Sequence, residues 1–133
     1  MSEPQVTIAL DGGPRVYQPG ETLAGHYVVE HIHLADIRAI ELSVLWYTEG
    51  KGDEELSVHH FERFLPFEDN LVDLRYPRQF STPLPNSPMS YDGIIVNIRW
   101  CVRVRVFLKG GKELLAEQSF QLGSVPPAQA VHP

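Results

Sequence analysis

IIVNIRWCVRVRVFLKG, residues 94–110, decides the fold class of this 133-residue chain. Every even position from 94 to 108 is apolar, whereas the odd positions include Arg99, Arg103 and Arg105. A period of two is typical of a β-strand with one buried face and one face in water. At about 3.3 Å per residue the stretch exceeds an ordinary strand, so a bend or bulge within it is expected. We predict a long central strand whose even-numbered face packs against a second layer of strands.

The same period recurs along the chain. Residues 6–10 (VTIAL) form a short edge-type strand, and residues 37–50 alternate over more than ten positions. The stretch 55–64 returns as a strand, with Leu56 and Val58 predicted to face inward. Pro19-Gly20 fits the centre of a type II turn. Three prolines within residues 83–88 exclude a central strand there, which leaves an edge strand or a crossing loop.

These patterns, together with eleven prolines and ten glycines, predict an all-β fold. Because each sheet has one apolar face to cover, we expect a two-layer antiparallel β-sandwich, immunoglobulin-like, over residues 1–123. Residues 124–133 have no periodicity and little to bury, so they are predicted to form a disordered tail. Residues 66–79 fit either a helical turn or an irregular loop.

The turn after residue 108 decides which side chains lie opposite Arg99, Arg103 and Arg105, which we call the arginine row. A two-residue loop would bury Glu117 against the core, whereas a three-residue loop, 110–112, keeps apolar side chains together. The longer loop pairs Lys109 with Glu113 and Arg105 with Glu117 across the strands, as a solvated ion-pair ladder. In this register Arg99 and Arg103 lie opposite only Gly123 and Ser119, so they become candidates for holding an acidic partner, although Glu41 on another strand could still neutralise them.

Charge and composition exclude several classes of partner. Eleven Lys and Arg against 17 Asp and Glu give a net charge of −6, which repels nucleic acid and anionic membranes. No apolar run reaches the ~18 residues of a membrane span. A single cysteine and an N-terminus without a signal-like pattern predict a cytoplasmic protein without disulfides.

Two groups of residues could carry chemistry. His31 and His33 would share one face of a strand and His59 or His60 could approach them, but zinc needs three or four converging ligands and the spacing guarantees no such convergence. Cys101 could be a nucleophile because Arg99 and Arg103 flank it on the same face. Surface histidines and a half-buried thiol are the simpler interpretations. No hydrolase, NTPase or dinucleotide motif is present, so we predict no enzyme activity, no metal site and no cofactor.

Three segments resemble the arrestin-like β-sandwich family. YQPGETLAG (17–25) is similar to its Y-x-P-G-E-x-x-x-G opening, and residues 80–100 are similar to its later F-x-x-x-L-P-x-x-x-x-S-Y/F-x-G-x-x-x-x-I-x-W/Y pattern. The third segment is 37–50. Relatives include animal arrestins, α-arrestins, the retromer arrestin-like subunit and bacterial sporulation-control proteins. The resemblance covers roughly residues 15–122, which is room for one sandwich where arrestins have two. The first strand lacks the basic pair of receptor-binding arrestins, so recognition of phosphorylated receptors is not implied.

The resemblance implies adaptor or scaffold work, because the fold generally binds other proteins and is not generally an enzyme. We therefore expect a non-enzymatic protein–protein interaction module. The predicted partner-binding residues are Arg99 and Arg103 on the arginine row, and Val6, Ile8 and Leu10 on the first strand, whose edge offers unpaired backbone groups. The alternatives are a subunit of a homo- or hetero-oligomeric assembly and a sandwich that binds a metal or ligand through surface histidines.

Overall fold

The structure, a computed structural model, describes residues 3–13, 15–66 and 76–126. The described residues form nine strands, in chain order β1 (Gln5–Leu10), β2 (Val16–Tyr17), β3 (Thr22–Glu30), β4 (Ile37–Gly50), β5 (Leu56–Phe64), β6 (Arg78–Pro83), β7 (Tyr91–Asp92), β8 (Val96–Leu108) and β9 (Glu113–Leu122). Short 3-10 turns lie at Leu34–Asp36 and Lys109–Gly111. No helix among these residues is long and apolar enough to cross a bilayer.

The strands form two sheets, which confirms the predicted β-sandwich. One sheet has the order β1-β3-β6, and the other has the order β2-β9-β8-β4-β5, with β7 paired to the start of β8. Neighbouring strands run antiparallel except for the short parallel pair β2–β9. The predicted first strand is an edge strand, as expected, and the proline-containing β6 is the other edge of the smaller sheet.

The core lies between the sheets, on the even-numbered face of β8. Trp100, Val102, Val104 and Val106 are at most 1% exposed, as the alternation predicted. Side chains from β3 and β6 of the other sheet, and from β4 beside β8, belong to the same continuous buried cluster. Ile94 was also predicted to be buried, and this was wrong. It lies before β8 begins and is 65% exposed.

The register of β8 against β9 differs from the predicted one by two residues. The last paired residues are Phe107 and Glu113, because Gly110 and Gly111, both at positive φ, build a wider turn than the three-residue loop expected. Since a shift of two preserves which face each side chain occupies, the buried face was predicted correctly. The predicted ion pairs were wrong. Arg103, not Arg105, lies opposite Glu117, and Arg105 donates a hydrogen bond to Glu113, which lies diagonally across from it on β9.

The residues that carry the arrestin-like resemblance serve the architecture. Gly20, at φ +83°, closes the predicted turn with a hydrogen bond from the Glu21 N–H to the Gln18 carbonyl. Tyr17 is buried with its ring edge against Phe120, the ring centroids 5.7 Å apart. These positions hold β2 and β3 in place, and the Tyr17 hydroxyl is buried without a hydrogen-bond partner among the described residues.

The second motif fixes the crossing from one sheet to the other. The Ser90 backbone N–H and hydroxyl both bond Leu122, at 2.7 and 2.8 Å. The Trp100 indole N–H donates to the Pro88 carbonyl at 2.7 Å. A side chain at Gly93 would meet the Val96 carbonyl oxygen at 2.2 Å, so only glycine fits there. These residues of the motif therefore have structural roles, and their contacts do not identify a binding partner.

Two predicted segments fall largely outside the described residues. The tail predicted at 124–133 is described only as far as residue 126, and the undecided segment 66–79 is described only at 66 and 76–79. The strands assigned to the predicted domain at 1–123 lie between residues 5 and 122.

Candidate protein-binding surface

Strand β5 is the terminal strand of the larger sheet and presents exposed apolar side chains. Leu56, Val58 and Phe61 are 53%, 47% and 51% exposed, although β5 pairs with β4 along its whole length. Edge strands are commonly protected by lysine, by proline or by shortness. β5 has nine residues and neither lysine nor proline, and it is longer than the other described edge strands, β1, β2 and β6. Among the described strands β5 pairs only with β4. We call its other edge, with these three side chains, the β5 edge.

A β-bulge explains why Leu56 and Val58 point outward, contrary to the prediction. Val44 pairs with His60 but Leu45 pairs with Val58, so His59 is an extra residue in β5. An extra residue exchanges the two faces of the strand from that point. Val58 thus lies beside Leu45 on the outer face of the sheet. Sequence alternation alone could not place this exchange, because both halves of β5 alternate regularly.

The bulged residue, although itself exposed, links β5 to β6 of the other sheet. The His59 Nε2–H donates to the Pro83 carbonyl at 2.7 Å, and the imidazole edge approaches Trp100 with 6.1 Å between ring centroids. Phe64, 5% exposed, is buried with the Arg78 guanidinium 4.2 Å above its ring. The pairing with β4 thus sets Leu56, Val58 and Phe61 on the outer face, and Phe64 is the buried residue of the strand.

An open depression of about 560 Å³ adjoins Leu56 on the outer face. It is lined by Tyr47, Thr48, Glu49, Gly50, Glu54, Glu55, Leu56 and Arg103. Burial and the nearby Glu49 carboxylate raise the pKa of Tyr47, so its hydroxyl stays a neutral hydrogen-bonding group. The β5 edge therefore combines an apolar centre with an acidic flank at its N-terminal end.

The arginine row is paired within the chain. Arg99 bonds Asp92 at 2.6 Å and Glu49 at 3.1 Å, and Arg103 bonds Glu117 at 3.1 Å. The inference from the predicted register was therefore wrong. Arg103 meets Glu117 because the register is shifted, and the carboxylates beside Arg99 come from β4 and β7, where Glu49, and not the Glu41 considered from the sequence, is the residue of β4. Their role in holding a partner stays a prediction, since paired arginines on an exposed face can still bind an acidic group.

The first strand offers its backbone more than its side chains. Leu10 belongs to the core, and Val6 and Ile8 pack against it from β1. Among the described strands β1 pairs only with β3. Binding at Val6, Ile8 and Leu10 would thus use the free strand edge, and it too stays a prediction.

Cys101 is more buried than expected. It is 2% exposed, and its thiol lies 3.5 Å from the Glu117 carboxylate. Burial, with Glu117 adding to it, raises the pKa of Cys101 to about 12. The nearby Arg103 opposes this shift only in part. A thiol with such a pKa is not a nucleophile at neutral pH.

The four candidate metal-binding histidines lie in two separate parts of the fold. His31 and His33 are in the connection between β3 and β4, and His59 and His60 are in β5. His31 and His60 each have a glutamate oxygen at 3.7 Å. Within the described ranges, no three His, Cys, Asp or Glu side chains are grouped so as to hold a metal ion.

Comparison with known proteins identifies the fold. No protein-family model and no curated protein matches the sequence. Among solved structures, Spo0M, the sporulation control protein of Bacillus subtilis, is similar, with a TM-score of 0.64 and 18% identity over 94% of this chain and 51% of Spo0M. Superoxide reductase (neelaredoxin) from Ignicoccus hospitalis has a TM-score of 0.53 and 13% identity over 90% of this chain and 80% of the enzyme. A single-substitution variant of that enzyme gives the same TM-score at 14% identity.

The chain therefore has the arrestin-like β-sandwich fold, which confirms the fold implied by the sequence motifs. It spans about half the length of Spo0M. At identities of 18% and 13% the similarity concerns the fold alone.

Proposed function

We propose that this chain is a non-enzymatic protein-interaction module that binds its partner through the β5 edge. The observation that carries the proposal is the exposure of Leu56, Val58 and Phe61 on a strand that, among the described strands, pairs on one side only, with β4. Such a strand can extend its sheet by one strand of a partner, with backbone hydrogen bonds giving affinity and side chains giving specificity. Adaptor work of this kind is also what the arrestin-like resemblance implies.

Rigidity of the surface supports the proposal. The contacts of His59 with Pro83 and of Phe64 with Arg78 tie the extended β5 to β6, and ties of this kind reduce the ordering that binding requires. Cys101, the candidate nucleophile, is buried and protonated, which favours binding over catalysis. The name of Spo0M, a sporulation control protein, is consistent with a regulatory module.

Affinity capture from the native host tests the proposal. Wild-type bait should retain a partner that bait with Val58→Lys and Phe61→Lys loses, because two charges would then have to be desolvated at the centre of the interface. Leu115→Lys is the matched control, since Leu115 is also exposed, by 56%, on the outer face of the same sheet but at β9. Equal capture by the wild type and the double variant would refute binding at the β5 edge.

The earlier predicted sites are tested in the same experiment. Bait with Arg99→Gln and Arg103→Gln removes the arginine charges without adding like charges, and loss of capture there would move the site to the arginine row. An assembly subunit should instead co-purify at fixed stoichiometry. The predicted cytoplasmic location is checked by fractionating the native host.

A further inference from the structure

We infer that the occupant of the β5 edge is the β5 edge of a second copy of this chain, paired antiparallel about a two-fold axis between His59 and His60. The inference rests on the proposed function and names its partner. A two-fold interface uses the same surface on both copies, so the strand must be complementary to itself. β5 meets this requirement in its side-chain pattern and in its charge.

The bulge makes the pattern symmetric. The outward residues are Leu56 and Val58 before the bulge and Phe61 and Arg63 after it, since these pair with the outward positions of β4. They are placed symmetrically about the midpoint of residues 59 and 60. In an antiparallel pair centred there, Leu56 lies opposite Arg63 of the other copy and Val58 lies opposite Phe61. Side chains directly opposite each other share a face, and every such pair here does.

Other registers break this agreement. Sliding one copy by two residues places the outward Val58 opposite the inward His59, or the outward Phe61 opposite the inward His60. Sliding by one residue sets the outward Leu56 opposite an inward position. Among these registers the central one sets the outward side chains of both copies on one face. Because the inward side chains of β5 before Phe64 are themselves mostly exposed, the preference rests on the contacts of Leu56, Val58 and Phe61.

Apolar contact and charge both favour the central register. It gathers Val58 and Phe61 of both copies, now 47% and 51% exposed, into one cluster of four side chains across the axis. Arg63, with its side chain 57% exposed, comes beside Leu56 and diagonally to Glu54 of the other copy. Glu54 at the N-terminal flank of each strand thus approaches Arg63 of its partner, twice for each dimer, while Arg63 keeps the Glu41 carboxylate of its own chain at 3.7 Å.

Disulfide trapping tests the register. The double variant L56C/R63C places two thiols directly opposite across the axis, at a Cα separation that a disulfide spans, and should give a covalent dimer under mild oxidation. L56C and R63C alone are matched controls, because identical positions in the two copies lie seven residues apart along the strand, roughly 23 Å. Val58 and Phe61 stay intact in all three variants, and the buried native Cys101 is common to them.

Sedimentation velocity from about 1 to about 200 µM tests the association itself, over the range in which small interfaces dissociate. The wild type should show concentration-dependent mass up to a dimer. Val58→Lys should raise the dissociation constant at least about tenfold, and Leu115→Lys should leave it unchanged.

A covalent dimer from the double variant alone, with mass lost on Val58→Lys, supports the inference. A wild type that is monomeric throughout, a dimer indifferent to Val58→Lys, or equal cross-linking by a single variant overturns it. If the monomeric outcome accompanies capture of another protein that depends on Val58 and Phe61, the proposed function stands and only its occupant is wrong. If both fail, the β5 edge is not an interface.

Discussion

Replacing Gly25 by alanine tests the close approach of β1 and β6 to β3. A Cβ atom at this position would lie 2.4 Å from the Ala9 carbonyl oxygen and 2.9 Å from Phe80 Cζ. The carbonyl belongs to the backbone of β1 and cannot rotate away, so that strand must shift. Gly25 is not among the residues at positive φ, so the cost is steric alone. Overpacking of this kind costs typically about 1–3 kcal/mol, and we expect a loss of about 2 kcal/mol or more.

Thermal unfolding followed by near-ultraviolet circular dichroism measures the effect. An unfolding entropy of roughly 2.1 cal/mol/K per residue gives roughly 280 cal/mol/K for this chain of 133 residues, so 2 kcal/mol lowers Tm by roughly 7 °C. Ala24→Ser is the control, because Ala24 lines an open depression and surface changes stay within about 0.5 kcal/mol. A Gly25→Ala variant that melts with the wild type would show that β1 does not pack as closely as described.

Three further outcomes are expected. Cys101, with its pKa raised to about 12 by burial, should react with a thiol reagent only after unfolding, and rapid labelling of the native protein would contradict its burial. The Arg105 guanidinium lowers the pKa of Glu113, so their pair stabilises the fold above the ordinary carboxyl pKa and loses this effect as pH falls through the lowered value. Arg105→Gln should therefore reduce the difference between urea midpoints at pH 7 and pH 3, and an unchanged difference would count against the pair. Arg99→Glu, which adds a carboxylate beside Asp92, should lower stability by about 1 kcal/mol after allowance for solvent screening, whereas a melting temperature equal to that of Arg99→Gln would show no repulsion.

The fold could be predicted because its signals are local and repeated. Alternation over β8 placed Val102 and Val104 in the core, and Gly20 set a turn through its own backbone freedom. The candidate site could not be predicted in the same way. Its outward Leu56 and Val58 depend on the extra residue at His59, and nothing in the alternation of either half of β5 marks that residue.

Sequence by itself determined which side chains avoid water and therefore that two sheets must cover each other, because burial follows from the period of two along each strand. It also determined the acidic charge of the chain. Tertiary structure decided the partners of the arginines, the depth of Cys101 and the outward face of β5. These depend on how strands pair across long separations, where one bulge or a turn wider by two residues changes which side chains meet at almost no local cost.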